Sequence, residues 1–413
     1  MKGNGFKETE IGLIPEDWEV VRLGEVAHIK LGSTPERKEK KYWENGSIPW
    51  VKIQDLNNSV IYDTSEKISD IAFKEKFKGK FVPKGTLLLS FKLSIGKVGI
   101  LGIDAVHHEG IASLFLKEEI VSKKFLFYLL QSLDYENLLD TYVKGKTLNK
   151  EKLKILPIPL PPLSEQQKIA KVLDKIQQAI ELQDKIIELL KNLKKSLMQK
   201  LFTEGLYGEE QKETEIGHIP KSWEVVRLGE VIHYKKGKKP KILLDDWKDD
   251  YLPYLTAEFF RTGKPDKFVD IKTERNIEIV EPEDIVLIWD GSNAGDTFTG
   301  LKGVLASTMV KIEILDKSKV DKKLIYYFLR TKFDLLNART TGSTIPHVSK
   351  MTFENLLIPL PPLEEQKQIA HILSTVDKKI EVEQRRKEVL KDLFKTMLHK
   401  LMSGEIRLKE VEI

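Results

Sequence analysis

Lysine-rich loops are the segments of this chain whose residue types and spacing best suit a chemical role. "HYKKGKKPK" (233–241) places five lysines around a glycine beside Tyr234, and "SFKLSIGKVG" (90–99) places Lys92 and Lys97 on a loop after a predicted strand. Lysines on loops suit contacts to phosphate, and Asn, Gln, Ser or Arg side chains nearby can reach base edges. Taken alone, each cluster fits a solvated face more often than a binding site.

The sequence contains no convincing catalytic motif. The phosphate-loop, nucleophile-elbow, HExxH and amino-methyltransferase motifs are absent. "PDKFVDIK" (265–272) superficially matches a nuclease motif, but only three residues separate Asp266 from Asp270, too few to bring two carboxylates together from adjacent strands. The eight histidines are scattered, and His107–His108 fits a loop or packing feature better than a metal site. We therefore predict no catalytic residue and no metal site.

The composition limits the class of protein. The 413 residues, 41% hydrophobic and 32% charged, allow two or three domains with real cores. The lack of cysteine excludes disulfides and thiolate chemistry and fits a cytoplasmic location. No apolar run approaches the about 18 residues of a membrane span, so we expect no membrane association. The net charge of +5 and pI of about 8.8 permit nucleic-acid binding without requiring it.

The chain is an internal duplication. "TEIGLIPEDWEVVRLGEV" (9–26) recurs as "TEIGHIPKSWEVVRLGEV" (214–231), identical at 15 of 18 positions. "PLPPLSEQQKIAKVLDKI" (159–176) likewise recurs as "PLPPLEEQKQIAHILSTV" (359–376). The segments between these constant parts share little beyond a strand-rich texture. A unit of about 200 residues is too long for a solenoid repeat, so a whole domain is duplicated.

Each proline-rich segment leads into a predicted helix of about 38 residues, over 164–202 and 364–402. Proline suits an extended approach and the first helical turn, so the segment is expected to stiffen the joint between variable domain and helix. An exposed PxxP ligand for an SH3-like partner is the alternative. Apolar residues recur at alternating spacings of four and three, which predicts a coiled coil. The first seam comprises Ile169, Leu173, Ile176, Ile180, Ile187, Leu190, Leu197 and Leu201, interrupted at Gln183 and Lys194, and the second is interrupted at Glu383 and Lys387.

Connectivity predicts how these parts are arranged. A short linker after the first helix places the second domain near the far end of that helix, so the second helix is expected to run back antiparallel. The predicted fold is α+β: two mixed α/β domains separated by two long helices, which form an antiparallel coiled coil with pseudo-two-fold symmetry. We assign residues 1–157 and 206–357 to the two domains, and 158–205 and 358–413 to the helices.

The whole layout resembles the DNA-specificity subunit of type I restriction–modification systems. The most specific elements are the doubled "IPLPPL[SE]EQ" (158–166 and 358–366) and the doubled "IP..WEVVRLGEV". "IPWVKIQDL" (48–56) and "LPYLTAEFF" (252–260) look like the strand near the start of each target-recognition domain of that family. The loops "GKTLNK" and "GSTIPHVSK" match its glycine–threonine loop before the prolines.

This resemblance implies a non-catalytic subunit that binds double-stranded DNA. Each target-recognition domain would read one half of a bipartite sequence, and the coiled coil would set the gap. The implied partners are two methyltransferase (M) subunits and the restriction/translocase (R) subunits. S-adenosylmethionine, ATP and Mg²⁺ would be bound by those partners, with no cofactor in this chain. The alternative is a coiled-coil scaffold that joins two protein-binding domains.

Candidate DNA contacts lie on the predicted loops of both domains. Lysines are expected to hold phosphates, and Gln54, Arg261, Asn293 and Arg339 to reach base edges. The turns "KLSIGK" (92–97) and "GSNAGD" (291–296) differ in residue type, so the two domains should read different half-sites. The full set is Lys52, Gln54, Lys92, Ser94, Lys97, Lys146 and Thr147 in the first domain, and Lys236, Lys238, Arg261, Ser292, Asn293, Arg339, Ser343, Thr344 and His347 in the second.

Overall fold

The structure is a computed structural model that describes residues 5–135, 149–341 and 346–411. The chain divides into two compact units: residues up to 184 together with those from 386 onward form unit 1, and residues 185–385 form unit 2. Each long helix therefore contributes to both units. The domain boundaries predicted from the sequence follow the repeats instead, and they stay a prediction.

Unit 1 is built from short strands and short helices that lead into the first long helix. Its strands are Phe6–Thr9 (β1), Gly12–Pro15 (β2), Glu19–Arg22 (β3), Ala27–Leu31 (β4), Ile48–Val51 (β5), Ser59–Ile61 (β6), Lys67–Ile68 (β7), Leu87–Ser90 (β8), Val98–Leu101 (β9), Val106–His107 (β10), Ile111–Leu116 (β11) and Pro157–Leu160 (β12). Its helices are Leu23–Val26 (α1), Asp70–Phe77 (α2), Lys123–Ser132 (α3), Lys150–Lys154 (α4) and the start of the long helix Leu163–Leu201 (α5).

The main sheet of unit 1 has the strand order β4-β11-β8-β9-β6, and a smaller sheet has the order β10-β5-β7. Strand β8, "LLLS", is buried along its whole length. Helix α3 covers one face of the sheet here, and an apolar cluster that includes Val51 and Leu101 covers the other face. Trp18 and Phe125 are fully buried in the core that joins the sheet to the long helices. The strand predicted to precede the Lys92–Lys97 loop is thus confirmed.

The constant segments pair with each other. In unit 1, β3 ("EVVR") runs antiparallel to β12 ("PIPL"), with Arg22 opposite Pro157 and Glu19 opposite Leu160. Pro157 and Pro159 of β12 are buried, so this strand is part of the core, while Pro162 after it is exposed. After it, the carbonyl of Pro162 accepts the backbone N–H groups of Glu165 and Gln166, which satisfies two free donors at the start of α5. The sequence predicted the rigid entry but not the strand pairing.

Unit 2 repeats this plan with different loops. Its strands are Gln211–Thr214 (β13), Gly217–Pro220 (β14), Glu224–Arg227 (β15), Ile232–Lys236 (β16), Tyr251–Leu255 (β17), Phe268–Asp270 (β18), Ile279–Val280 (β19), Ile285–Ile288 (β20), Thr297–Phe298 (β21), Gly303–Leu305 (β22), Met309–Ile314 (β23), Thr340–Thr341 (β24), His347–Val348 (β25) and Leu357–Leu360 (β26). Its helices are Leu228–Val231 (α6), Ala257–Thr262 (α7), Lys322–Thr331 (α8), Phe333–Ala338 (α9), Lys350–Glu354 (α10) and part of the second long helix Leu363–Met402 (α11).

Two four-stranded sheets, β16-β23-β20-β21 and β18-β17-β22-β19, form the body of unit 2. Strand β15 pairs antiparallel with β26, as β3 does with β12 in unit 1. Trp223 and Phe328 are buried in the core beside the long helices, in the manner of Trp18 in unit 1. The duplication therefore preserves the framework while the sheets between the constant strands differ.

The long helices run antiparallel within each unit, as predicted. In unit 1, Lys387 of α11 forms an ion pair with Asp184 of α5. In unit 2, Lys194 of α5 forms an ion pair with Asp377 of α11. The predicted seam residues of α5 are buried or half-buried. Two of the four polar interruptions, Lys194 and Lys387, thus each meet a carboxylate of the other helix, which explains how a charged residue is accommodated at a seam position.

Candidate nucleic-acid interface

Three turns of unit 1 converge at Gly110. A Cβ atom on Gly110 would lie 3.1 Å from Ile53 Cδ1 and 3.2 Å from Lys92 Cβ. The backbone N–H of Phe91 donates to the Gly110 carbonyl (3.0 Å), and that of His108 donates to the Val51 carbonyl (2.9 Å). The turn after β5, which carries Lys52 and Gln54, therefore lies beside the turn after β8, which carries Lys92, Ser94 and Lys97.

Most of the predicted contact residues of this surface already have partners. Lys52 forms an ion pair with Glu66 (3.2 Å), and Lys92 with Glu109 (3.3 Å). Gln54 Nε2 donates to the Ser65 hydroxyl (3.0 Å). The Lys92–Glu109 pair is exposed and contributes little free energy, so a phosphate can replace its carboxylate at small cost, whereas Lys52 and Glu66 are half-buried.

The turn after β8 presents its side chains to solvent. Leu93 has φ +63° and is 89% exposed, which places Ser94 and Lys97 on a protruding loop. The Ser90 hydroxyl accepts the backbone N–H of Lys97 (2.9 Å), and Gly96 donates to the Ser90 carbonyl (3.0 Å). These bonds hold the backbone of the turn while the Lys97 side chain stays exposed.

Sequence reasoning missed an aromatic–arginine cluster on unit 1. The Arg37 guanidinium lies 3.9 Å from the ring centroid of Trp43 and 5.0 Å from that of Trp50, and it also contacts Glu66. Trp50 in turn lies 5.7 Å from His108, centroid to centroid. Burial lowers the pKa of His108; the Glu109 carboxylate opposes this shift, and the Lys92 and Arg37 charges add to it. The basic and aromatic run "PERKEKKYW" (35–43) was the available signal for this cluster.

In unit 2, the turn after β20 gathers several predicted residues. Lys236 Nζ forms an ion pair with Asp290 (2.8 Å), and Asp290 pairs through its backbone with His347. The Gly291 N–H donates to the Pro346 carbonyl (2.8 Å). Lys236, His347 and the turn 291–296 thus form one surface.

A second set of bonds fixes the shape of that turn. Asn337 Nδ2 donates to the carbonyls of Ser292 (2.9 Å) and Ala294 (3.1 Å), and Asn293 Nδ2 donates to the Ser292 hydroxyl (3.2 Å). Arg261 Nη2 lies 3.4 Å from Asp296 Oδ2. Arg261, Ser292 and Asn293 are therefore brought together, and Asn337 is a positioning residue that the sequence did not single out.

The remaining candidates divide into two groups. Lys238 and Arg339 are exposed, on the segments that follow β16 and α9. Lys146, Thr147, Ser343 and Thr344 lie outside the described residues. The DNA contacts predicted for these six residues, like those of the other ten candidates, stay predictions.

The nuclease-like segment "PDKFVDIK" (265–272) and the His107–His108 pair occupy ordinary structural positions. Asp270 ends β18, where its side chain accepts the backbone N–H of Lys272 (2.9 Å). His107 is fully buried in β10, and burial lowers its pKa to about 4. In the part of the chain that the structure describes, no group of three or more His, Asp or Glu side chains is placed to hold a metal ion.

In each unit, the backbone of one glycine lies very close to the backbone of a second segment. A Cβ atom on Gly32 would lie 2.0 Å from the His107 carbonyl oxygen, and one on Gly237 would lie 2.2 Å from the Ala306 carbonyl oxygen. Real Cβ atoms do not approach so closely, so the backbone would have to move. Both glycines directly follow the first strand of their main sheet.

We expect Gly32→Ala and Gly237→Ala each to lower the free energy of unfolding by about 2 kcal/mol, because overpacking against backbone cannot be relieved by a rotamer change. Urea unfolding measures this loss. Lys38→Ala and Lys238→Ala, which alter exposed lysines close to the glycines in the chain, serve as matched controls and should unfold like the wild type. Glycine variants as stable as these controls would contradict the close backbone contact.

Comparison with known proteins identifies the family. A family model described as the type I restriction modification DNA specificity domain matches residues 15–192 and 220–392. The chain belongs to this family. Type I specificity subunits are the non-catalytic, DNA-recognising components of restriction–modification enzymes, and the two matched ranges each take in one variable segment.

Individual specificity subunits show the same relationship. The specificity subunit of the type I restriction enzyme MjaVIII of Methanocaldococcus jannaschii is 49% identical over 199 residues, 48% of this chain and 46% of that subunit. The MjaIX specificity subunit of the same species is 28% identical over 427 residues, 98% of this chain and 97% of that one. The crystal structure of the type I restriction–modification S subunit from M. genitalium has a TM-score of 0.58 at 18% identity, covering 97% of each chain, which shows a shared fold.

Over residues 5–135, 149–341 and 346–411, no helix combines the length and the apolar character that crossing a bilayer requires.

Proposed function

We propose that each unit of this specificity subunit reads one half of a bipartite double-stranded DNA target. The observation that carries this proposal is the pair of corresponding turns after β8 and β20. Both follow a buried strand and close on a glycine with positive φ, Gly96 at +86° and Gly295 at +99°. The same framework thus presents different polar side chains in the two units, as two readers of different half-sites require.

Lysines and amides take different roles in this proposal. Lys92, Lys97 and Lys236 contact phosphates, which positions the protein on the duplex without selecting a sequence. Gln54, Asn293 and Arg261 reach base edges in the major groove, where amide and guanidinium groups can bond to two acceptors or donors at once. The ion pairs that hold Lys92 and Lys236 in the free protein exchange for phosphates on binding.

The long helices set the gap between the half-sites. At 39 and 40 residues, α5 and α11 are each about 60 Å long, since each residue adds about 1.5 Å. A continuous helix with a buried seam resists bending better than a loop linker does. The distance between half-sites then becomes part of the recognised signal.

Exposed apolar residues on the long helices support docking of two methyltransferase subunits. In unit 2, Leu189, Leu193 and Val382 are exposed, and in unit 1 their counterparts Leu182, Val389 and Leu393 are exposed as well. Large apolar side chains on a helix surface favour a packed partner. The duplication offers two equivalent surfaces to two copies of one partner. The restriction/translocase subunits complete the assembly, and S-adenosylmethionine, ATP and Mg²⁺ are bound by these partners.

The test uses the cognate methyltransferase subunits. Complexes made with this chain should methylate one two-part sequence in a library of duplexes. Exchange of residues 27–155 for the corresponding segment of another specificity subunit should change one half of that sequence and leave the other half and the gap unchanged. A matched exchange of residues 232–355 should change the other half. Exchanges that altered both halves, or neither, would contradict modular reading.

Salt dependence separates this proposal from a protein-binding scaffold. Binding through phosphates weakens steeply as salt rises, with a slope in log K of about −0.9 for each phosphate contact. Complexes that never bind duplex DNA at low salt, although both partner subunits assemble on the chain, would favour the scaffold.

A further inference from the structure

A cavity of about 710 Å³ in unit 2 lies outside the recognition turns. It forms where α5, the β13–β14 hairpin, the end of α8 and β26 meet. Its lining includes the buried apolar side chains of Phe202, Ile219 and Phe328. It also includes five cationic side chains and two carboxylates: Lys191, Lys194, Lys195, Arg330 and Lys332, with Asp334 and Asp377.

Most of this positive charge is not neutralised by the protein. Lys194 forms an ion pair with Asp377. Arg330 Nη1 instead donates to the Tyr326 hydroxyl (2.8 Å), and Lys332 Nζ lies 5.1 Å from the centroid of the Phe328 ring. Burial lowers the pKa of Lys332, whereas in Arg330 the effect of burial is outweighed by Tyr326, Asp377 and Asp296, which raise its pKa. A cation held in a partly buried place among other cations costs stability until an anion joins it.

Unit 1 provides an internal comparison, because it has a cavity of about 470 Å³ between the corresponding elements. Leu13 stands there where unit 2 has His218, and Leu133 where unit 2 has Lys332. On the adjoining helices, Gln131 corresponds to Arg330 and Phe394 to Lys194. Phe394 packs edge-on against Tyr128, with 5.9 Å between centroids. The framework therefore does not need cations at these positions. Asp377 accounts for Lys194, which leaves Arg330 and Lys332 as the cations that a ligand would explain.

We propose that the cavity of unit 2 binds phosphate groups, with Arg330, Lys332 and Lys195 as the phosphate contacts. Guanidinium and ammonium groups are the usual phosphate donors in proteins, and several of them together suit an anion with more than one charge. The volume is within the range of about 300–1,000 Å³ found for small-molecule sites. The buried aromatic side chains provide a surface for the organic part of a nucleoside phosphate.

The phosphate can come from a free nucleotide or from the DNA backbone. Lys332 also lines a second cavity that includes Arg339, on the segment after α9. Asn337 of α9 in turn holds the recognition turn through the carbonyls of Ser292 and Ala294. The cations thus continue from the cavity toward the proposed DNA surface. Binding of a DNA backbone phosphate rests on the proposed DNA binding, whereas binding of a free nucleotide does not.

The test replaces two cations by their unit 1 counterparts in the full chain, as Arg330→Gln with Lys332→Leu. The charge-matched control is Lys317→Gln with Lys175→Gln, two exposed lysines outside the cavity. Calorimetry with ADP and with inorganic tripolyphosphate tests the free source. The salt dependence of duplex binding by the assembled complex tests the backbone source. Lys332→Arg keeps the charge and should retain binding, which separates loss of the site from loss of folding.

Each outcome decides the proposal. If the nucleotide is the source, the wild type binds ADP and the double variant binds it about tenfold or more weakly, since a charge-assisted hydrogen bond contributes about 1.5–3 kcal/mol. If the backbone is the source, ADP does not bind and the salt slope of the double variant is smaller by about 0.9 for each lost contact. No ADP or tripolyphosphate binding together with an unchanged slope overturns the phosphate site. A wild-type complex that binds no duplex contradicts the proposed function instead. In that case, ADP binding alone shows whether the cavity is a phosphate site.

Discussion

Glu165→Ala is expected to lower the free energy of unfolding of unit 1 by about 4 kcal/mol, because a buried carboxylate with four hydrogen bonds is lost. The Glu165 side chain is 1% exposed. It accepts from Trp18 Nε1 (3.1 Å), from Arg407 Nε (2.9 Å) and Nη2 (2.8 Å), and from the Leu408 N–H (3.1 Å). Alanine leaves the indole N–H of the fully buried Trp18 without an acceptor and releases the C-terminal segment. Urea unfolding combined with amide hydrogen exchange assigns the loss to unit 1.

Unit 2 provides the matched control, because Glu365 occupies the same position without an arginine. It accepts from Trp223 Nε1 (2.9 Å) and from the Leu206 N–H (2.8 Å). Glu365→Ala should therefore cost about 2 kcal/mol, close to half as much. Equal losses in the two variants would show that Arg407 adds nothing to the buried carboxylate. No loss in either would contradict the central role of these bonds.

The same carboxyl gives unit 1 an acid-sensitive contribution. Burial raises the pKa of Glu165, but Arg407, the Leu408 N–H and Trp18 together hold it below its ordinary value of 4.5. The unfolded chain then binds the proton more readily, so the contribution is fully present above about pH 4.5 and is lost as the pH falls through the lower, folded pKa. The difference in stability between the wild type and Glu165→Ala should accordingly shrink on acidification below pH 4.5.

The repeated parts of the fold were predictable because they depend on local patterns. The alternation of four and three spacings gave both long helices to within about one residue at each end, since a seam of that period is buried only on a helix. The antiparallel direction followed from the short linker between Leu201 and Gln211. The ion pairs of Lys194 and Lys387 were not foreseen, because sequence spacing does not tell which carboxylate of the other helix lies level with a seam lysine.

The candidate interface was only partly predictable, because it is assembled from distant segments. Lys52 and Lys92 lie on one surface because the backbone bonds at Gly110 bring two turns together, and nothing local to either turn encodes that contact. Arg37 was overlooked because its importance comes from stacking on Trp43 and Trp50 rather than from a motif. The pairing of β3 with β12 joins segments more than 130 residues apart, which propensity cannot predict.

Insertion of one heptad into each long helix is expected to lengthen the gap of the DNA target by about three base pairs, because seven helical residues add about 10 Å and each base pair about 3.4 Å. The insertions belong between Asp184 and Lys185 and between Arg385 and Arg386, at the division between the two units. Seven residues preserve the phase of the buried seam, so the helices can still pack. Methylation of a duplex library by the assembled complex measures the gap. The original target should no longer be methylated, while both half-site sequences stay as they were.

The matched control inserts the same seven residues beside Gly208, an exposed glycine with open space around it in the segment between α5 and β13. This variant gains the same length of chain without lengthening either helix, so its target should match that of the wild type. If the double helix insertion left the gap unchanged, or if it altered a half-site sequence, the long helices would not be the element that sets the spacing. If the gap changes only in the helix variant, then α5 and α11 set the gap, because only an insertion in these helices increases the distance between the two half-sites.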